Sequence, residues 1–210
     1  MARYTGPVCR RCRRAGMKLY LKGLRCETAK CAIEKQWRNK PPGMHFWRRR
    51  RQSEYGVRLR EKQKLRWYYG VLEKQFRRFF EEAARGKGST GDRLLILMER
   101  RLDNVVYRLG FAPSRSAARQ LVLHGHVFIN GRRSNVGSRK MDVGDVIEIR
   151  DHKTSRGLVR GYIESEEDRM VPQWLEADPE HFRGEVKSAP TRDDVSIQIN
   201  EQLIVEFCSR

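Results

Sequence analysis

The whole positive excess of this chain lies in its first 90 residues, which carry 26 Lys and Arg against 7 Asp and Glu, whereas residues 91–210 carry 19 of each. The first 45 residues also have few apolar positions at any regular period, and they end in the break Pro41-Pro42-Gly43. Such an arm cannot fold around a core of its own. The formal net charge of +19 over 210 residues exceeds what solubility requires, so the natural partner is a polyanion, with nucleic acid ahead of a membrane surface. Residues 91–140 hold 10 basic and 3 acidic side chains and residues 141–210 hold 9 and 16. A nucleic-acid surface is therefore expected to continue past Gly91 and to stop before the acidic tail.

The N-terminus shows no secretory pattern, and the longest aliphatic run, Leu94 to Met98, is too short to span a bilayer. A soluble, reducing, cytoplasmic setting follows as an expectation. There, five cysteines point to a metal rather than to disulfides. Cys9, Cys12, Cys26 and Cys31 form C-x2-C-x13-C-x4-C, four thiolates able to wrap one tetrahedral ion. Structural zinc suits this spacing best and would replace the missing core; an iron–sulfur cluster and unligated or oxidised thiols are the alternatives. Arg10, Arg11, Arg13, Arg14, Lys18 and Lys22 surround the quartet and should lower the thiol pKa values while presenting positive charge. Cys208 reads as a small buried hydrophobe.

Past the arm, the run Arg48, Arg49, Arg50, Arg51 follows His45, Phe46 and Trp47 and joins phosphate-binding charge to rings that can stack on bases. Ser53 is a suitable N-cap for a basic helix reaching about Trp67 and ending near Gly70. Leu72, Phe76, Phe79, Phe80 and Ala83 form one helical stripe, read as core. After the connector Arg85 to Ser89, one helix from Thr90 or Asp92 carries Leu95, Met98, Leu102, Val105, Val106 and Leu109 and stops at Gly110. Ser114 caps a short helix in which Arg115 and Arg119 share a face opposite Ala118, Leu121 and Val122. Asn130-Gly131 predicts a hairpin, Val146 to Arg150 a strand, and the alternation Val195 to Ile199 another. Asn200 should cap a last helix bearing Leu203, Ile204 and Phe207. Arg115 and Arg119 with Arg132 and Arg133 would make a basic edge for reading the shape of structured RNA, with charge removal at Arg115 and Arg119 barely affecting stability.

The strings Arg101-Leu102-Asp103-Asn104-Val105-Val106-Tyr107-Arg108-Leu109-Gly110, Ser114-Arg115-Ser116-Ala117-Ala118-Arg119-Gln120-Leu121-Val122 and Gly125-His126-Val127-Phe128-Ile129-Asn130-Gly131 resemble the RNA-binding module named after ribosomal protein four of the bacterial small subunit. Met1 to Tyr4, Glu54 to Gly56, Leu59 to Lys64, Tyr69 to Phe76 and Asn200 to Phe207 extend the resemblance to that ribosomal protein family end to end. The resemblance implies early binding to a junction in the 5′ domain of small-subunit rRNA, nucleation of assembly, and a place beside the channel where messenger RNA enters. It further implies contact with ribosomal protein five of the small subunit, an influence on decoding accuracy, and RNA contacts that include Lys62 and Ser116. Metal binding carries over to all four cysteines. The chain departs from the family at Pro42-Gly43-Met44-His45-Phe46-Trp47, where members often read Pro-Gly-Gln-His-Gly, and at Cys208, where Tyr is common.

The expected fold is α+β: a zinc-stapled basic arm (1–45), a helical rRNA-binding domain (46–90) completed by a C-terminal helix (200–210), and an inserted module of helices on an antiparallel sheet with a loop-rich acidic extension (91–199). The expected role is structural and ribosome-bound. An RNA-modifying enzyme is disfavoured because no 100-residue block remains for a catalytic domain and no Gly-rich nucleotide loop or catalytic carboxylate/His set is present. A zinc-finger DNA regulator is disfavoured because one cysteine cluster comes without a recognition-helix pattern.

Overall fold

The structure, a computed structural model, describes residues 4–47, 51–165 and 170–209. It divides into two compact units, residues 1–94 with 197–210, and residues 95–196.

The first unit is helical. Helix α1 (Cys9–Ala15) and a 3-10 turn (Gly23–Cys26) lie in the arm, followed by α2 (Glu54–Tyr68) and α3 (Glu73–Ala84). Ser53 caps α2 as its extended backbone leads one to expect, its Oγ accepting the Gly56 N–H at 3.2 Å. Phe76, Phe79 and Ala83 are buried as the stripe predicts, but Leu72 occupies the N-cap position of α3 and is exposed. The C-terminal helix α8 (Glu201–Cys208) is capped by Asn200, whose Oδ1 accepts from the Gln202 and Leu203 N–H groups. It returns to pack on α2, with Glu206 Oε2 2.6 Å from Arg58 Nε and the Phe207 ring 5.3 Å from that of Tyr55. The arm is not as coreless as expected. Leu19 is fully buried, Cys12, Cys26 and Cys31 are buried with it, and Arg11 lies 6.0 Å from the Trp67 ring of α2.

Helix α4 (Thr90–Glu99) carries the chain into the second unit. The single helix expected from Thr90 to Leu109 is two, because Arg101 is extended and α5 (Leu102–Arg108) starts anew. Distant backbone explains the break: Leu102 N–H donates to Arg139 O, Asp103 N–H to Gly137 O, and Met141 N–H to Arg100 O. No local sequence signal announces those partners. Helix α6 (Arg115–Leu123) follows, capped by Ser114 Oγ on the Ala117 N–H at 3.2 Å.

The sheet is antiparallel in the order β2-β1-β3-β5-β4, formed by β1 (Val127–Ile129), β2 (Arg132–Ser134), β3 (Val146–Ile149), β4 (Leu175–Asp178) and β5 (Arg183–Val186). Asn130 and Gly131 turn the β1–β2 hairpin with φ of 50° and 74°, the left-handed pair that a type I′ turn demands. The acidic extension holds more order than its prolines imply. Helix α7 (Lys153–Ser165), β4 and β5 all lie within it, and Val159, Trp174, Leu175, Phe182 and Val186 join the core beneath α5 and α6. The strand expected at Val195 to Ile199 does not form. Val195, Ile197 and Ile199 are buried in alternation, but no strand pairs with them among the described residues.

Candidate nucleic-acid interface

In the first unit the exposed cations flank exposed rings. Arg10 and Arg14 are exposed on α1, whereas Arg11 and Arg13 are half-buried: Arg11 stacks 3.6 Å from the Tyr4 ring and Arg13 Nη1 donates to Lys40 O at 3.5 Å. Trp37 (66% exposed) and Trp47 (60%) are turned to solvent, with Arg38 4.5 Å from the Trp37 ring and Lys40 4.9 Å from that of Phe46. His45 and Phe46 both meet Trp47 edge-on, at 5.4 and 5.2 Å. Exposed rings faced by cations make a surface on which bases can stack while phosphates are neutralised. The Trp37–Arg38 pair was not anticipated, although a Trp beside an Arg in a basic segment with few apolar residues is a legible signal. Arg51 is exposed ahead of α2; Arg48, Arg49 and Arg50 lie outside the described residues.

Lys62 does not stand ready for RNA. It is 5% exposed, its Nζ is 2.7 Å from Glu73 Oε1, and it lies 4.5 Å from the Phe207 ring. Arg66 also pairs with Glu73, so this carboxylate ties α2 to α3. Burial pushes the Glu73 pKa up, but Lys62 and Arg66 outweigh it and the net direction is down.

None of the four arm cysteines is joined in a disulfide. Burial pushes the Cys12 thiol up to about 11, and Cys26, Cys9 and Cys31 each add to the rise. Burial raises Cys26 likewise, although the Lys22 N–H donates to its sulfur at 3.4 Å. The expected lowering by nearby arginines is therefore corrected: desolvation prevails for both thiols. The quartet is close enough for its members to act on one another, yet among the described residues no group of three or more Cys, His, Asp or Glu is arranged so as to hold a metal ion. Cys208 is half-buried and its thiol is also pushed up by burial.

In the second unit the polar residues of the Arg101 to Arg119 stretch are mostly internal. The buried Glu99 carboxylate accepts from Asn104 Nδ2 at 2.6 Å and from Arg108 Nη2 at 2.9 Å. Asn104 Oδ1 in turn accepts from Arg115 Nε at 2.8 Å, and the Arg115 guanidinium lies 4.4 Å from the Tyr107 ring. Arg101 grips Asp103 through two bonds of 3.0 and 2.6 Å, and Arg119 Nε approaches the same carboxylate at 3.8 Å. Arg115 is 7% exposed. The reading of Arg115 and Arg119 as a free face is thus corrected: Arg115 is drawn inward by the Asn104 amide and Arg119 by the Asp103 carboxylate of α5. Ser116 is exposed, its Oγ 3.0 Å from Ser114 Oγ, and Arg132 and Arg133 are exposed on β2. The outward basic edge of this unit is therefore carried by β2 rather than by α6.

Residues 3–99 match the family described as ribosomal protein S4/S9 N-terminal domain, and residues 100–147 match the S4 domain. Over all 210 residues, covering both chains completely, the sequence is 53% identical to small ribosomal subunit protein uS4 of Geobacter sp. (strain M21). The chain belongs to the uS4 family. Other uS4 proteins match equally fully, at 54% identity in Pelobacter propionicus and 53% in Halothermothrix orenii. The family boundary between residues 99 and 100 coincides with the end of α4, where the helical first half of this uS4 chain gives way to the α+β module. Family membership makes the protein a ribosomal structural component rather than an enzyme. Among the described residues, no helix is long and apolar enough to cross a membrane.

Proposed function

We propose that this chain is an rRNA-binding structural constituent of the small ribosomal subunit. It would bind a junction in the 5′ domain of small-subunit rRNA early and nucleate assembly there. The observation that carries this reading is the full-length match to uS4 proteins in a chain whose first unit holds 28 Lys and Arg against 10 Asp and Glu. That unit supplies the phosphate-neutralising charge and the exposed rings; the rigid module supplies β2 as a shape-reading edge. A position beside the channel where messenger RNA enters, contact with protein five of the small subunit and an influence on decoding accuracy belong to the same proposal. Co-sedimentation with small subunits in sucrose gradients tests it: the protein should travel with the subunit at moderate salt, and its absence from that fraction would refute the reading.

The proposal includes one structural zinc ion on Cys9, Cys12, Cys26 and Cys31. Four thiols at this spacing, three of them buried and mutually close, are the donor set that supports it. When bound, zinc would close a four-sulfur shell and cross-link the arm. Stoichiometric metal in protein purified under reducing conditions, lost in Cys9→Ser and Cys26→Ser, is the expected result; metal-free protein with an intact arm by far-UV dichroism would refute it.

A further inference from the structure

Of the five asparagines in the chain, only Asn130 is followed by glycine. Asn39, Asn104, Asn135 and Asn200 precede Lys, Val, Val and Glu, whose side chains crowd the peptide nitrogen next to the carboxamide. Gly131 leaves that nitrogen bare: the residue is exposed, and nothing lies within 4 Å of the place a Cβ would take. A nucleophile therefore stands beside an electrophile. Attack of the Gly131 nitrogen on Asn130 Cγ closes a cyclic succinimide, and the amide proton leaves with the side-chain nitrogen as ammonia. Water then opens the ring at either carbonyl to give aspartate or isoaspartate. Asparagine plus water becomes acid plus ammonia, with no oxidant or cofactor required.

The folded module opposes this reaction. Asn130 Oδ1 accepts the Val146 N–H at 2.9 Å, and Asn130 Nδ2 donates to Asp145 Oδ1 at 2.8 Å. Both partners stand at the start of β3, so the carboxamide is pinned towards that strand instead of swinging onto the Gly131 nitrogen. The Asn130 N–H donates to the Val146 carbonyl at 2.9 Å, and Asp145 Oδ2 accepts the Asp142 N–H at 2.8 Å, which fixes both sides of the clamp. A type I′ turn asks only for positive φ at residue 130, which glycine would also supply. The two side-chain bonds go beyond what the turn needs.

The same contacts define what conversion would do. An aspartate at 130 has no N–H for Asp145 and sets a second carboxylate where the 2.8 Å bond was, placing like charges face to face. An isoaspartate adds a backbone carbon to a turn whose register is fixed by the Ile129 and Arg132 pair. Strand β2 is an edge strand held by β1 alone, so it is the strand set loose.

We propose that Asn130-Gly131 is a self-deamidating site whose rate is set by the clamp from Asp145 and Val146. A chain whose β3 is not in place converts itself and loses the β1–β2 hairpin, whereas a folded chain is preserved. This stands independently of the rRNA-binding reading.

The full chain is incubated at mildly alkaline pH, folded or in urea, and acid at residue 130 is followed by peptide mass spectrometry with isoaspartyl methylation. Conversion should be fast in urea, slowed there by Gly131→Ala, and slow in the folded parent. Folded Asp145→Ala should convert about tenfold faster than the parent, the weight of one hydrogen bond to a charged acceptor. Asp145→Asn, which keeps an acceptor oxygen, should recover most of the protection. No conversion in urea would overturn the site; equal rates folded and in urea, or a folded Asp145→Ala no faster than the parent, would overturn the clamp. Should Asp145→Ala melt early by dichroism, hydrogen exchange of the Val146 amide in the parent decides, because its acceptor is the Asn130 side chain. Slow exchange that is lost in Asn130→Ala supports the clamp, and fast exchange in the parent overturns it. Converted protein, separated by charge, should have lost that protection; if it is retained, conversion does not free the hairpin and that part of the proposal falls.

Discussion

Arg115 donates its Nε–H to Asn104 inside the module, while Arg132 stands exposed just past the Asn130-Gly131 turn. Both are arginines of a basic RNA-binding family, and burial separates their roles. Around Asn104 each partner depends on the next: Glu99 needs the Asn104 amide and Arg108, and Asn104 needs Arg115. Removing one member strands a buried charge rather than deleting a weak contact. Asn104→Ala should therefore cost about 2–4 kcal/mol of stability. Arg115→Gln should also lower the melting temperature clearly, whereas Arg132→Gln should stay within about 0.5 kcal/mol of the parent and weaken RNA binding instead. Urea denaturation of the three variants, set beside RNA titrations, checks the contrast. A stable Asn104→Ala protein would show that the network is ornamental.

At the scale of elements, junctions decide how the helices are held. Glu73, at the start of α3, accepts Lys62 and Arg66 from α2, which keeps its pKa below the ordinary glutamate range despite burial. A carboxylate depressed on folding contributes stability above its unfolded pKa and loses it as pH falls through the folded value. The parent should thus lose stability in that acid window, and Glu73→Gln should start less stable at neutral pH and show less dependence there. Urea midpoints taken at neutral and acid pH measure this. Asn200→Ala should cost α8 about 1 kcal/mol, since one side-chain oxygen satisfies two N–H groups of its first turn. Such caps and turns explain which elements could be read in advance. Ser53, Ser114, Asn200 and Asn130-Gly131 act within three residues of themselves, so α2, α6, α8 and the hairpin are visible in the sequence. The break at Arg101 was not, because its cause is the backbone of residues 137–141. Helix α7 was hidden by Gly157 and Gly161, which weaken its helical signal, and β4 and β5 exist by virtue of pairing with each other and with β3. At the candidate interface, charge and aromatic content were legible and burial was not: Lys62, Arg115 and Arg119 read as available cations until their carboxylate and amide partners are seen.

For the whole molecule the division of charge seen along the sequence carries over to the two units of the structure. Residues 1–94 with 197–210 carry 28 Lys and Arg against 10 Asp and Glu, a net +18, while residues 95–196 carry 17 against 16, a net +1. Ion pairing leaves that gap as it is: Arg101, Arg108 and Arg119 of the second unit face Asp103 or Glu99 within it, just as Arg58, Lys62, Lys64 and Arg66 face glutamates within the first. Each phosphate neutralised releases condensed counterions, so the logarithm of affinity falls with the logarithm of salt by about 0.7–0.9 per phosphate contact. Most of that slope should originate in the first unit. Changing Arg48, Arg49, Arg50 and Arg51 together to Gln in the full chain should therefore lower the slope by roughly 3–4 if each meets a phosphate. The melting temperature should hold, since Arg51 is exposed and precedes the Ser53 cap. Affinity for the 5′-domain transcript at several salt concentrations, with the Arg132→Gln protein as a one-contact comparison, provides the measurement. Parallel lines for parent and quadruple variant would mean that the run is a solvated stretch, and that the first unit's charge acts through α1 and the Trp37 to Trp47 surface instead.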